Sequence, residues 1–464
     1  MAVPFILLIS FPYLFGSLLF NVPILVMGIV LLTVYTGVVF FRPTIALVMF
    51  ILTLAFHDFL NLPLTQGGLK LSTAILLSAF IITLARILIK RDPDLFMIPS
   101  RIVNILVPVF LLVMLISLVN SQNIQFSKVE IQKFVYCVIV YFFVAFTVKE
   151  ASLLKKVAVV LVCGGIAASL LGVVEAKTGT IYGLLGNQSL LGGGVPEATL
   201  IGPGNRINGV LGDADLHGMY MGVVFSFALC LYFVYKRRFI RLLLVATMLL
   251  CLFNIIGAAS RGAALGSFIS FLVFWFLIPL RRKWLTATGL LGGMFVFACI
   301  VFILFPHLYI ERFYRPEGQA KETLTLRKNN VLIGLAMAVD HPVIGHGPGG
   351  FSINYHKYAS STIPTAKKKT TRPLNVYIQV LVEYGIVGFS LFLGILFSAL
   401  KMLFPLARSD LGAFDIYAAT VFATLCGYCT FMLFTGLIND QNFWLLVALA
   451  VTLGTVRTSA GMMR

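Results

Sequence analysis

Charged side chains are scarce in this chain of 464 residues. They make up 11% of it, against about 25% in a soluble domain, while 59% of the residues are hydrophobic. This balance excludes an ordinary soluble globular protein. The apolar stretches are continuous over roughly 17–20 residues rather than alternating, which favours membrane-spanning helices over a β-barrel. We therefore predict an all-α, polytopic integral membrane protein, a helical bundle of about 12–14 transmembrane helices.

A cysteine framework is also lacking. All seven cysteines fall in apolar segments, so the sequence predicts neither a disulfide scaffold nor a zinc site. Cys426 and Cys429 have the spacing of a redox pair, but they lie in a predicted membrane helix without a thioredoxin-like context. We interpret them as packing residues. No basic region precedes the first apolar stretch, so no cleavable signal peptide is expected.

The apolar stretches predict fourteen spans, and crowding among the first three makes about twelve an alternative count. The predicted spans are 4–20, 23–41, 43–60, 71–89, 102–120, 131–148, 153–174, 216–235, 239–258, 262–280, 285–305, 375–400, 412–436 and 442–456. Basic residues gather at alternate loops with few acidic residues beside them. Since basic loops stay in the cytoplasm, both termini are expected to be cytoplasmic.

These spans divide the chain into alternating membrane and outer segments. The predicted parts are N-terminal transmembrane helices (1–175), an outer loop (176–213), further transmembrane helices (214–305), a large outer loop (306–374) and C-terminal transmembrane helices (375–464). The large loop holds ten basic and four acidic residues, which suggests an anionic ligand. Within it, residues 320–339 predict an amphipathic helix at the membrane interface.

Asn375, Gln379 and Glu383 are spaced four residues apart and so share one face of a helix. Glu383 then lies about 12 Å along the helix from Asn375. A carboxyl group inside a membrane helix costs several kcal/mol, roughly, unless it has a partner or faces a wet cavity. This helix is therefore expected to border a polar site.

Two arginines lie close to predicted helix ends. Arg206 precedes the span that begins at 216, and Arg261 lies between two tightly connected spans. A guanidinium suits bidentate contact with phosphate, so both are candidate ligands of a phosphate or diphosphate at the membrane surface. The alternative is structural: each pairs with Asp213, Asp215 or Glu383, or extends to the interface.

The remaining polar candidates are glycines, histidines and a lysine run. GHGPGGF at 345–351 is either an anion-approaching loop or a plain turn, and it is not a P-loop. His346 lies within this loop, and His341 and His356 flank it. Each is either a candidate catalytic base or an ordinary surface imidazole. By the predicted topology all six histidines, His57, His217, His307, His341, His346 and His356, lie at or near the outer face. Asp213 or Asp215 also suits a helix N-cap. Lys367–Lys369 suits a solvated loop face.

Four motifs follow one another over about residues 200–390. They are R-I-N-G-x-x-x-D-x-D from 206, S-R-G-A from 260, H-P-x-x-G-x-G-P-G-G-F from 341 and N-x-Y-x-Q-x-x-x-E-x-G-x-x-G from 375. Each motif alone is loose. Their order, spacing and shared predicted side together resemble the O-antigen ligase and O-antigen polymerase superfamily.

The resemblance implies a metal-independent glycosyltransferase without a nucleotide cofactor, in the bacterial cytoplasmic (inner) membrane, with its active site on the outer face. The donor is a lipid-linked oligosaccharide on undecaprenyl diphosphate. The acceptor is a glycan, either the lipid A core in ligases or another lipid-linked repeat in polymerases. Membrane lipids surround the protein, and no nucleic acid is expected. Arg206 and Arg261 match the positions thought to hold the diphosphate, and Arg327 resembles a recurrent family arginine.

One position departs from the family pattern. Leu374 occupies the place of the histidine that usually precedes Asn375 and is the favoured catalytic base. Another group therefore serves as base, with His346, His356 and Glu383 as candidates, or the acceptor differs, or the member is inactive. Asp213, Asp215, His341, Asn375 and Gln379 are expected to support the site.

Two other functions remain as alternatives. A polytopic transporter for an anion or small solute shares the spans and the basic outer surface, although it should show midplane polar residues and a repeat. A non-catalytic component of a glycan export complex is the other. The sequence leaves open ligase against polymerase, the sugar and the acceptor.

Overall fold

A computed structural model of the chain describes residues 37, 39–54, 56, 71–90, 101–178, 206–278, 317–362, 373–408 and 413–462. Within these residues every regular element is a helix, which confirms the all-α class. The α-helices are α1 (Pro43–Leu54), α2 (Leu71–Lys90), α3 (Arg101–Ile116), α4 (Ile124–Thr147), α5 (Ala151–Thr178), α6 (Ala214–Val234), α7 (Arg238–Ala258), α8 (Arg261–Leu277), α9 (Glu317–Asp340), α10 (Gly350–Thr362), α11 (Val376–Ala407), α12 (Ala413–Phe431) and α13 (Gln441–Met462). Short 3₁₀ turns at Ser117–Asn120 and Gly209–Leu211 precede α4 and α6.

Seven helices in the described part of the chain are long and apolar enough to cross a membrane. They comprise α3 with its 3₁₀ extension, α4, α5, α6, α7, α11 and α12, and four shorter apolar helices accompany them. The chain is therefore a multi-pass membrane protein. The predicted spans 4–20 and 285–305, most of 23–41, His57, His307 and Lys367–Lys369 lie outside the described residues, so the total of 12–14 stays a prediction.

One helix starts well before its predicted span. The span predicted at 131–148 begins in the structure at Ile124, because the side chain of Asn123 accepts from the N–H of Phe126 and caps the helix there. Its first two turns contain polar residues, which hydropathy alone assigns to a loop. This early start carries Glu130 into the bundle.

Helix α6 lies at the centre and is the most buried of the spanning helices. It packs against α5, α7, α8 and α12. Small residues let α8 and α12 approach closely: a Cβ on Gly266 would lie 2.7 Å from the carbonyl oxygen of Gly427, within CGYC. Such contacts hold membrane helices together because lipid gives no hydrophobic drive between them. Cys426 and Cys429 are free thiols in this region.

Helices α9 and α10 pack on each other and on the first half of α11. Ile333 and Met337 of α9, Phe351 and Tyr355 of α10, and Val382 of α11 are buried in one cluster. Helix α9 covers residues 320–339, where the sequence predicted an amphipathic helix; its amphipathic character and its position at a membrane interface stay predictions.

Helix α11 is interrupted at Gly385, where φ is 64° and ψ is −166°. Beyond the break the N–H groups of Ile386 and Val387 donate to the carbonyls of Pro342 and Val343 at 2.8 and 3.3 Å. A Cβ on Gly385 would overlap the carbonyl group of Val343, so only glycine fits. The sequence around it is apolar and gave no sign that the predicted helix would break.

Candidate active site

The turn before α6 carries Arg206. Its Nε donates to the carbonyl of Ala258 at 2.8 Å, and its guanidinium pairs with the carboxylate of Asp215. The N–H of Ile207 donates to the carbonyl of Gly257 at 3.0 Å. These bonds fix the turn on the end of α7, so the arginine is oriented by the protein itself.

Glu175, in the last turn of α5, holds the same turn from the other side. Its Oε1 accepts from the N–H of Asn208 at 3.1 Å and its Oε2 from the N–H of Gly209 at 2.7 Å. The side chain is buried, and a buried carboxylate needs such donors because desolvation alone is costly. Sequence reasoning missed Glu175 because these contacts join residues far apart in the chain.

Arg261 is the first residue of α8. Ser260 caps the helix by accepting from the N–H of Ala263 at 3.2 Å. Arg261 is exposed, and no hydrogen bond or ion pair engages its guanidinium within the described residues. A helix start adds partial positive charge to that of the side chain, so this is a favourable place for an anion.

Arg327 on α9 completes the group. It donates to the carbonyl of Phe434 at 3.3 Å and lies over the ring of that residue. Burial lowers the pKa of Arg327, the nearby carboxylate of Asp215 raises it, and the positive charges of Arg261 and Arg206 lower it. Three guanidinium groups and one carboxylate therefore lie within electrostatic reach of one another, and we call them the arginine cluster.

Two predicted polar residues of α6 make contacts within the fold. Asp213 is the N-cap, since its carboxylate accepts from the N–H groups of Asp215 and Leu216 at 2.8 and 3.1 Å. His217 is fully buried and shares a hydrogen bond with Asn254 at 3.1 Å. Asp213 thus supports the arginine cluster by setting where α6 begins.

The polar face predicted on α11 is present. Asn375 is the N-cap, accepting from the N–H of Ile378 at 3.1 Å, and its amide donates to the carbonyl of Leu433 at 3.3 Å. One turn further, Nε2 of Gln379 donates to Oε2 of Glu383 at 3.4 Å. Gln379 is 6% exposed and Glu383 1% exposed. The other carboxylate oxygen of Glu383 has no hydrogen-bond partner among the described residues.

A second carboxylate, missed by sequence reasoning, lies beside Glu383. Glu130 on α4 interacts electrostatically with Glu383. Lys133 donates to its Oε1 at 2.7 Å and Asn439 to its Oε2 at 3.0 Å. The sequence does not single out Glu130, because the polar residues around it lack the hydropathy of a membrane span.

The glycine-rich loop at 345–350 packs into the break of α11. The N–H groups of His346 and Gly347 donate to the carbonyls of Val382 and Glu383, both at 2.9 Å. At Gly345, where φ is 69°, a Cβ would overlap the backbone of Glu383. Because these N–H groups are used by backbone carbonyls, the structure supports the turn interpretation rather than an anion-binding loop.

The same loop is held on its other side by the junction of α3 and α4. The amide of Asn120 donates to the carbonyl of Gly345 at 2.8 Å, and the hydroxyl of Ser127 donates to the carbonyl of Pro348 at 2.6 Å. A Cβ on Gly349 would lie 3.4 Å from Cγ of Glu130. The loop therefore joins α4 to the polar face of α11.

A comparison with protein families supplies the identity of this region. The family model of the O-antigen ligase matches residues 246–393. The chain carries an O-antigen ligase family domain. The match includes the second half of α7, all of α8, α9 and α10, and α11 past its break, and so it contains Arg261, Arg327 and Glu383. No curated protein matches the chain.

The O-antigen ligase domain assigns the chain to glycan transfer in the synthesis of O-antigen or related polysaccharide, in a bacterial membrane. At the family's histidine position stands Leu374, whose backbone N–H donates to the side chain of Asn330 at 3.1 Å. Asn330 is one turn beyond Arg327 on α9. Leu374 therefore lies between the arginine cluster and the polar face of α11.

The histidines of this O-antigen ligase domain have different environments. His346 is 2% exposed, and its Nε2 is 2.9 Å from the carbonyl of Met337. Burial lowers its pKa, and the Met337 carbonyl opposes that shift. The His341 ring lies 4.4 Å from that of His346, between centroids. His356 is exposed on α10, where its ring contacts Tyr355.

The predicted site residues thus form two groups and a link. The arginine cluster holds Arg206, Arg261, Arg327 and Asp215. Gln379, Glu383 and the newly found Glu130 form the second group, and Asn375 lies between the two. Among the described residues, no group of three or more His, Cys, Asp or Glu side chains is arranged to hold a metal ion.

Proposed function

We propose that this protein transfers a saccharide from undecaprenyl diphosphate to a hydroxyl of an acceptor sugar at the outer leaflet of the cytoplasmic membrane. The observation that carries the proposal is the arginine cluster, in which Arg327 lies within electrostatic reach of Arg261, Arg206 and the Asp215 carboxylate that pairs with Arg206. The O-antigen ligase family match covers Arg261 and Arg327, which supports a role for this positive charge in binding the diphosphate of the donor.

The charges suit a diphosphate. Asp215 neutralises one of the three guanidinium groups, so the cluster keeps two net positive charges. Arg206 and Arg327 are already oriented by carbonyl groups of the protein, whereas Arg261 is unengaged by described residues. Arg261 is therefore the group we assign to the most direct contact with the ligand.

The outer location is supported by charge separation along α7. Arg237, Arg238 and Arg241 lie at the start of this helix, and the arginine cluster lies at its end. Twenty residues of helix separate the two ends by about 30 Å, the thickness of the hydrocarbon core. If the basic start is cytoplasmic, the arginine cluster faces outward.

The chemical step follows from these positions. The acceptor hydroxyl gives its proton to a base, and its oxygen forms a bond to the anomeric carbon of the donor sugar. The bond from that carbon to the diphosphate oxygen breaks, and its electron pair leaves on the diphosphate. The arginines stabilise this growing negative charge in a site of low dielectric, where oriented groups are most effective.

Glu383 is the base we favour among the three candidates. Its Oε1 is buried without a hydrogen-bond partner among the described residues, with the N–H of Gly349 and the hydroxyl of Tyr384 nearby. Nε2 of His346 is engaged by the carbonyl of Met337, and His356 is exposed. The carboxylate lies on the polar face that begins at Asn375. Asn375 bonds to Leu433, next to the residue that supports Arg327.

Substitution of the arginines tests the proposal. Arg261→Ala and Arg206→Ala should each reduce glycan transfer by on the order of 10²-fold, because each removes charge stabilisation of the leaving group. Arg261→Lys should restore little of the transfer lost in Arg261→Ala, since an ammonium group cannot make the bidentate contact of a guanidinium. Arg238→Ala, at the opposite end of α7, is the matched control and should leave transfer unchanged.

Transfer is measured in cells at equal protein level, by analysis of surface polysaccharide and of lipid-linked repeats in a deletion strain complemented with each variant. Accumulation of lipid-linked repeats supports the proposal. Full transfer in both Arg261→Ala and Arg206→Ala refutes the diphosphate site. Normal glycan with altered anion uptake in the deletion strain would favour a transporter instead.

A further inference from the structure

Two amides, those of the buried Gln379 and the partly buried Asn439, are each bound to a carboxylate of the second group. Nε2 of Gln379 donates to Oε2 of Glu383 at 3.4 Å, and Nδ2 of Asn439 donates to Oε2 of Glu130 at 3.0 Å. The first pair lies within α11. The second joins α4 to the segment before α13, across 309 residues.

These contacts decide which way each amide points. In both contacts the NH₂ group of the amide faces the carboxylate, so its carbonyl oxygen faces away. Those outward oxygens, Oε1 of Gln379 and Oδ1 of Asn439, are buried and have no hydrogen-bond partner within the described part of the chain. Oε1 of Glu383 is likewise buried without a partner there.

The two amide–carboxylate pairs meet at the glycine-rich loop. The backbone N–H of Gly349 faces the carboxylate of Glu383, and Cγ of Glu130 lies 3.4 Å from where a Cβ on Gly349 would stand. The absence of a side chain at Gly349 makes room for the ring of Phe126, which a Cβ would approach to 2.5 Å. We call Gln379, Glu383, Glu130 and Asn439 the acceptor-oxygen cluster.

The unused hydrogen-bonding capacity of this cluster is of one kind. The three atoms just named are oxygens without a donor among the described residues, and of the two carboxylates Glu130 is paired with Lys133. An apolar group would leave the oxygens unsatisfied, which is costly in a buried site. A neutral ligand rich in O–H donors satisfies all three, and saccharide hydroxyls are such donors.

The cluster is connected to the arginine cluster by a single short segment. The carbonyl of Leu433 accepts a hydrogen bond from the side chain of Asn375, and that of Phe434 accepts one from Arg327. The side chain of Asn439, in the same segment, donates to Glu130. The polar face of α11 runs beside it from Asn375 to Glu383. The segment at 433–439 and the polar face of α11 therefore link the two clusters through direct protein contacts.

We infer that the acceptor-oxygen cluster is the subsite for hydroxyl groups of the acceptor saccharide, with Gln379 and Asn439 as binding residues that act beside Glu383. The inference rests on the proposed function, and it assigns to Glu130 and Asn439 a role in choosing the acceptor. Neither residue lies in the family match at 246–393, so the subsite is a feature of the assembled bundle.

The first test uses the unsubstituted full-length protein, purified in nanodiscs. The probes are oligosaccharides released from the surface polysaccharide of the source bacterium, and the same oligosaccharides after permethylation. Permethylation keeps the ether oxygens and removes the O–H donors. We expect the native oligosaccharides to bind and to raise the melting temperature, and the permethylated ones to bind at least tenfold more weakly. Equal binding of both forms, or binding of neither, overturns the inference.

The second test uses variants. Gln379→Met and Asn439→Leu remove one acceptor each and should weaken oligosaccharide binding by about three- to tenfold. Gln132→Met is the matched control, because Gln132 is an exposed amide on α4 bonded to Tyr136. Unchanged binding in both cluster variants overturns the inference.

The two proposals fail separately. Loss of diphosphate binding in Arg261→Ala with unchanged oligosaccharide binding in both Gln379→Met and Asn439→Leu leaves the proposed function standing and removes only the subsite. Intact glycan transfer in both arginine variants refutes the proposed function, whether or not oligosaccharides bind to the acceptor-oxygen cluster. If a cluster variant does not fold, the permethylation comparison still decides the question on the unsubstituted protein.

Discussion

Removal of the Glu175 carboxylate should weaken the diphosphate site without touching any arginine. Glu175 accepts from two consecutive N–H groups, those of Asn208 and Gly209, at 3.1 and 2.7 Å. The turn so held positions Arg206 on Ala258 and Asp215. Glu175→Ala frees both N–H groups, and Glu175→Gln leaves one facing an amide NH₂ group.

The size of the effect follows from the bonds lost. A hydrogen bond to a charged group contributes about 1.5–3 kcal/mol, so two bonds amount to about 3–6 kcal/mol in Glu175→Ala. Removing the carboxylate also removes its own desolvation cost, which reduces the net loss to about 2–4 kcal/mol. Since 1.4 kcal/mol is a factor of ten, we expect diphosphate affinity to fall by about 30-fold or more in Glu175→Ala and about tenfold in Glu175→Gln.

Affinity is measured with farnesyl diphosphate as a soluble probe on purified protein, alongside oligosaccharide binding. Glu150→Gln is the matched control, because Glu150 is exposed at the other end of α5. A positioning role predicts weaker farnesyl diphosphate binding with oligosaccharide binding preserved. If Glu175→Ala binds farnesyl diphosphate as tightly as the unsubstituted protein, the turn does not depend on this carboxylate and the reasoning is wrong.

Two further predictions concern the break in α11. Gly385→Ala should lower the free energy of unfolding by about 2 kcal/mol or more, because φ is positive there and a Cβ would overlap the carbonyl of Val343. Gly394→Ala is the control: its Cβ would make only an ordinary contact at 3.4 Å, so this variant should melt no earlier than the unsubstituted protein. His346 has a folded pKa below its ordinary 6.5, so the unfolded chain binds the proton more tightly, and the stability it contributes is present above pH 6.5 and is lost as the pH falls below it. Thermal unfolding from pH 7.5 to 5 should therefore show a steeper acid loss for the unsubstituted protein than for His346→Gln, and equal slopes would contradict this.

The sequence predicted the features that depend on residues close together in the chain, such as membrane helices and polar helix faces. The bilayer demands long apolar helices, so their number and positions over the described residues follow from hydropathy. The four-residue spacing of Asn375, Gln379 and Glu383 likewise set a polar face that the fold retains, and the family motifs are recognisable in the order of the residues alone. The early start of α4 was missed because polar residues at a helix end look like a loop.

Other features depend on residues that are distant in the chain. Glu175 meets Asn208 and Gly209, Glu130 meets Asn439, and the broken α11 exchanges backbone hydrogen bonds with the loop at 341–350. The sequence can indicate that a buried carboxylate needs hydrogen-bond donors, but it does not show which residues supply them. The sequence by itself therefore determined the membrane helices, the charged candidates and the family. The tertiary structure alone decided which arginines lie near one another, where α11 breaks and which buried oxygens have no partner among the described residues, because pairing of buried polar groups is settled only when the helices pack.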